Sequence, residues 1–167
     1  AISTDNTPSN LAADEDWAVG ADPPVTVADA NNSITAINAT IPTITSAAYD
    51  TSTGSLVVTG AGFVSVSGNN NDIIATKFTF TGEGGETYAL TNSSNADITS
   101  GTAFTLTLSD TDRTAVNLII NKNGTSSTSG TTYNLAAAED WATGIETAAT
   151  IADLTGNGIN ASNVAIP

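Results

Sequence analysis

The chain of 167 residues contains no cysteine, no histidine and no methionine. Without thiols there is no nucleophilic cysteine, no disulfide framework and no thiolate metal site. Without imidazole, the commonest general base and the usual nitrogen ligand of zinc and iron are missing too. Most hydrolytic and redox mechanisms lose an essential part, and a non-catalytic role is expected. Basic residues are nearly as scarce: Lys77, Lys122 and Arg113 stand against 17 acidic side chains, a formal net charge of −14. A surface of that sign repels polyanions, so neither nucleic acid nor an anionic membrane is an expected partner. No apolar run approaches the ~20 residues of a membrane span, and membrane insertion is not expected. What remains is a chain rich in Thr, Ser, Asn, Gly and Ala, a composition common among secreted surface proteins; an extracellular or cell-surface location follows as an expectation.

The most informative feature is an internal repeat. Asn10, Leu11, Ala12, Ala13, Glu15, Asp16, Trp17, Ala18 and Gly20 recur at a constant offset of 124 as Asn134, Leu135, Ala136, Ala137, Glu139, Asp140, Trp141, Ala142 and Gly144. Ala28-Asp29 recurs as Ala152-Asp153 and, after one inserted residue, Ile41-Pro42 recurs as Ile166-Pro167. The chain therefore reads as one full unit, residues 42–167, preceded at residues 1–41 by a second copy of that unit's last segment. That arrangement suits units joined end to end.

Within the full unit the dominant period is two. Residues 55–59, 63–67, 72–81, 87–91 and 103–109 alternate apolar residues with Thr or Ser, and Gly- and Asn-rich turns separate them. β-Branched and aromatic residues at that period predict half-buried antiparallel strands in a β-sandwich. Residues 109–120 break the pattern, because Ser109 with Asp112 three positions on is a helix N-cap pair preceding Ala115, Val116, Leu118, Ile119 and Ile120. A short inserted helix is predicted at about 110–121. A Ser/Thr/Gly loop at 125–131, a strand at 132–135 and a last strand at about 159–166 complete the unit, and the N-terminal extension is assigned strands at about 24–28 and 33–41. Gly82-Glu83-Gly84-Gly85 reads as a turn, because no Lys follows to make it a phosphate loop.

Pro42-Thr-Ile-Thr-Ser-Ala-Ala-Tyr49, Gly54-Ser-Leu-Val-Val-Thr-Gly60 and Gly62-Phe63 resemble the opening of the immunoglobulin-like modules, of the IPT/TIG type, found in large bacterial surface proteins and adhesins. The resemblance covers residues 42–110. It implies an all-β, Ig-like module of an adhesin, surface layer or filament, and no catalytic residues.

Four sets of side chains are candidates for a role. Trp17 and Trp141, each behind Glu-Asp in the repeat, are assigned to the module core, with sugar stacking in a carbohydrate-binding module as the competing reading. Asp14, Asp16, Asp29, Glu139, Asp140 and Asp153 gather around the repeated segment and could hold calcium through hard oxygen ligands, although neither an EF-hand nor a nonapeptide spacing is present. Solvated turns are the plainer reading of the same carboxylates. Asn31, Asn38, Asn92, Asn123 and Asn160 stand in glycosylation sequons, at the frequency that chance allows in so Asn-, Ser- and Thr-rich a chain. For the extension, Val25, Val27, Ile34, Ile37 and Ile41 supply the alternation of a donor strand. The function expected from these features is that of a structural subunit forming a head-to-tail homopolymer by β-strand addition. A slice of a tandem adhesin array stands as the alternative.

Overall fold

A computed structural model describes residues 8–13, 28–35, 41–145 and 149–165. The chain divides into two compact units, residues 2–40 and residues 41–167, taken here one at a time.

In the larger unit the Thr/apolar alternation builds one mixed sheet. Its strands, numbered with the two of the first unit, are β3 (Thr43–Asp50), β4 (Ser55–Ala61), β5 (Phe78–Thr81), β6 (Thr87–Ala89), β7 (Ile98–Ser100), β8 (Ala103–Thr107), β9 (Asn134–Ala137) and β10 (Gly158–Ser162). Their order across the sheet is β6-β5-β9-β10-β3-β4-β8-β7. Every pair is antiparallel except β10 against β3, which run parallel with Gly158 opposite Ser46 and Ser162 opposite Asp50. In a flat sheet β5 and β8 would lie about 24 Å apart, five strand spacings. Yet the Phe78 and Phe104 ring centroids are 5.8 Å apart. The sheet therefore curls over its own face into a sandwich-like, all-β fold.

The inner face carries the period-two residues. Ile44, Ala47 and Tyr49 of β3, Leu56 and Val58 of β4, Phe78 and Phe80 of β5, and Phe104 and Leu106 of β8 are buried, while Thr and Ser occupy most intervening positions. Of the predicted strands, residues 63–67 do not form one. The chain turns at Gly62 with φ +73, Phe63 drops into the core, and the Val66 N–H donates to the Asp72 carboxylate at 2.7 Å instead of to a neighbouring strand. The same turn explains Gly60, where any Cβ would collide with the Thr43 carbonyl and the Phe63 ring. Residues 72–77 likewise break from the predicted strand 72–81. They make two isolated bridges at Ile73, to Ala96 and Ala142, and a 3-10 turn at Ala75–Lys77 before β5 begins.

The inserted helix is present as α1 (Asp110–Ile119), with the Ser109 hydroxyl accepting from the Asp112 N–H at 3.2 Å. Val116 and Ile119 are buried against the sheet, and Leu118 faces solvent. Asp112 does more than begin a helix. Its side chain is fully buried and accepts six hydrogen bonds, from the Tyr88 hydroxyl, from the N–H and hydroxyl of Thr91, from the Asn92 N–H, and from the N–H and hydroxyl of Ser93. Burial by itself pushes this carboxyl up, but donors from Ser93, Thr91, Asn92 and Tyr88 outweigh it and hold the group well below the usual carboxylate range. The knot fastens the turn after β6 to the start of α1.

Because the folded-state pKa of Asp112 is depressed, its contribution is complete above the unfolded value of about 3.9 and is lost as pH falls through the folded one. Asp112→Asn, which aims an amide at a cluster of donors, is expected to cost about 2 to 4 kcal/mol at pH 7. In urea melts the gap between the two proteins should be constant above about pH 5 and narrow below about pH 4.

Candidate assembly site: a duplicated hairpin

The C-terminal copy of the repeat is the middle of the sheet. β9 lies against β5, with Leu135 opposite Phe80 and Ala137 opposite Phe78; β10 lies against β3. β9 and β10 face each other through Asn134 opposite Gly158 and, beyond the strands, Ala137 opposite Asp153. Leu135, Ala137, Trp141, Ile159 and Ala161 are all buried.

Polar side chains fix the hairpin's shape. The Asn157 amide, 1% exposed, donates to the carbonyls of Leu135 (3.0 Å) and Asp153 (3.1 Å) and to the Asp153 carboxylate (2.8 Å), clasping the two arms together. The other Asp153 oxygen accepts from the Ile44 N–H at 2.8 Å, tying the hairpin to the start of β3. Glu139 accepts from the N–H groups of Ile151 (2.8 Å) and Ala152 (3.2 Å), closing the loop between the arms. Trp141 fills the space beneath that loop, its ring centroid 5.7 to 5.9 Å from those of Phe63, Phe78 and Phe104. Its indole N–H donates to the Ile151 carbonyl at 2.7 Å. A fully buried indole with its single donor satisfied offers no face to a sugar. Gly144 closes the loop where a Cβ would stand 2.5 Å from the Val64 carbonyl.

The N-terminal copy folds into the same hairpin. β1 (Pro8–Ala13) pairs antiparallel with β2 (Asp29–Thr35), placing Asn10 opposite Ser33 and Ala13 opposite Asp29. Allowing for the one inserted residue, these are the pairings Asn134 with Gly158 and Ala137 with Asp153. The clasp is copied as well. The Asn32 amide donates to the carbonyls of Leu11 (3.2 Å) and Asp29 (3.4 Å), as Asn157 does to those of Leu135 and Asp153. What differs is the covering: Leu11 is 60% exposed, whereas Leu135 is 0% exposed.

The remaining candidates distribute as follows. Among the tail residues, Ile34 lies on β2, Ile41 is half exposed, and Val25, Val27 and Ile37 lie outside the described residues, as do Trp17, Asp14, Asp16 and Asn38. The expected strand at 24–28 falls largely there too, while β1 was not foreseen. Asp29 caps its own turn by accepting from the Asn31 N–H at 3.3 Å. Asp140 is exposed in the left-handed region at φ +62. Among the described residues no three acidic side chains gather as a cation site; Glu139 gives its oxygens to the Ile151 and Ala152 N–H groups, and Asp153 gives one to the Ile44 N–H and the other to the Asn157 amide. Asn31, Asn92, Asn123 and Asn160 are exposed. Sequence reasoning passed over Asn157 and Asn32, whose signal was available as an Asn three or four residues after the repeated Ala-Asp.

No family model matches this chain, and neither a curated protein nor a solved structure resembling it is found.

Trp141→Ala empties the largest buried site in the module and is expected to destabilise it by about 3 to 5 kcal/mol. A denaturant melt followed by circular dichroism measures this, and a loss under about 0.5 kcal/mol would return Trp141 to the candidates for a surface role.

Proposed function

We propose that the chain is a non-catalytic structural subunit of an extracellular filament or surface assembly, polymerising head to tail with copies of itself through its N-terminal hairpin. The observation that carries this reading is the uncovered Leu11, in a hairpin whose twin buries the corresponding Leu135 completely. A two-stranded hairpin is marginal alone in water, and an open strand edge with an apolar side chain invites pairing with another chain. The module's polarity supports a linear array. Its first strand β3 and last strand β10 are parallel neighbours, so the chain enters at the Thr43 end and leaves at the opposite end, beyond Ser162. Units joined through those ends continue along the strand direction, a heterologous contact that does not close on itself. The three basic residues and the lack of His and Cys fit a role in which surface chemistry is passive.

Deleting residues 1–41 leaves a unit that contains its own complete sheet. The expected outcome is a folded monomer by gel filtration, with filaments visible by electron microscopy only for the full chain. A full chain that stays monomeric at high concentration would favour instead a slice of a tandem array, in which the same hairpin is used within one longer polypeptide.

A further inference from the structure

We propose that residues 8–35 are a spare β9–β10 hairpin that seats between β5 and β3 of a second copy of this chain, taking the interior slot in exchange for that copy's own β9–β10 hairpin, which leaves the sheet. This rests on the assembly reading above and specifies its contact as the insertion of a whole hairpin, not the addition of a single strand to a sheet edge. Three observations carry it.

The first is what the two copies share along the strands. The buried residues Leu135, Ala137, Ile159 and Ala161 of β9 and β10, and Trp141 beyond β9, have identical counterparts in Leu11, Ala13, Ile34, Ala36 and Trp17. On the β10 arm the outward Gly158, Asn160 and Ser162 are replaced by Ser33, Thr35 and Ile37, while on the β9 arm the outward Asn134 and Ala136 are kept as Asn10 and Ala12. Along both strands the residues that meet the core are retained. The second is Gly20. Its counterpart Gly144 must be glycine because the carbonyl of Val64 in the surrounding module leaves no room for a Cβ. That demand comes from the walls of the slot, and the N-terminal copy meets it.

The third is covalent reach, which decides whose slot is entered. In the β10 register the counterpart of Ser162, Ile37, would lie opposite Asp50. From there the chain would have to return to Thr43 at the other end of β3, about 23 Å away along seven residues of strand. Ile37 and Thr43 are six residues apart, a span of at most about 20 to 22 Å fully extended. Parallel neighbours need a crossover of a dozen or more residues in any case. The hairpin cannot enter its own module, so its place is in another. Seated there, β1 lies against β5 of the second copy with Asn10 opposite Thr81, as Asn134 is now. Asp29 then takes the place of Asp153 as acceptor for the Ile44 N–H.

The absence of cysteine makes the test clean. In the full chain, Asn10→Cys with Thr81→Cys should give on oxidation a ladder of interchain disulfide multimers on a denaturing gel, since directly opposed strand residues lie within disulfide range. Adding Leu11→Asp, at an exposed position, should abolish the ladder while leaving the module folded. A companion variant, Leu135→Asp, disables the module's own hairpin. It should fold only with rising protein concentration, by borrowing the N-terminal hairpin of a neighbour, and should give the ladder in the double-cysteine background. Filaments of the unmodified chain without any ladder in the cysteine pair would overturn the slot while leaving the assembly reading intact. Should the unmodified chain stay monomeric, the assembly reading fails on its own. The slot is then decided by Leu135→Asp: concentration-dependent folding with a ladder upholds it, and an unfolded chain at every concentration overturns it.

Discussion

The rest of the module depends on the insertion of one hairpin between two half-sheets. Without β9 and β10, β5 and β6 would have no hydrogen-bonded connection to β3, β4, β8 and β7. The hairpin is more than a spacer, because it brings Trp141 to the point where Phe78 from one half-sheet and Phe104 from the other come within 5.9 Å of the indole. Closure of the sheet and filling of its core are thus one event, contributed by a segment distant in sequence from β3 to β5. Long-range pairing of that kind makes the last segment of the unit decisive for the fold.

The same dependence gives the duplicated segment its meaning. A hairpin able to complete a sheet is adhesive wherever it is not enclosed, and the N-terminal copy keeps the register, the asparagine clasp and the core-facing residues of its twin. In the assembly proposed above, its exposed Leu11 and the short link to β3 would make a folding element a connector. Stability and the proposed assembly would then draw on one set of contacts, which differ only in whether the hairpin belongs to the same chain.

The acidic residues divide the labour differently from what their number suggests. Asp72, Asp112, Glu139 and Asp153 each accept from backbone N–H groups that no strand or helix satisfies, and so replace regular structure at the turns of a loop-rich sandwich. Asp72 is the plainest case: at 1% exposed, it holds the Val66 and Ile98 N–H groups at 2.7 and 2.8 Å across the segment that leaves the predicted strands. Other acids, such as Asp110 and Asp140, remain on the surface and carry the charge that would keep such a chain dispersed.

Much of this was legible from residue patterns alone. Alternation of apolar residues with Thr and Ser marked the strands around Leu56, Phe80 and Phe104, because a pleated strand with one buried face has a period of two. Ser109 and Asp112 marked the helix start, because a side-chain acceptor at that position satisfies one of the first free N–H groups. The offset repeat marked two copies of one segment. Tertiary structure alone decided the rest. Phe63 to Ser67 alternate as well as any strand, but a carboxylate from Asp72 takes the N–H that a neighbouring strand would have used. Asp112 and Asn157 look like ordinary turn residues until the chain brings their partners together. The central place of β9 and β10 exists only in the folded sheet, since the order of strands is set by which edges meet and not by their order along the chain.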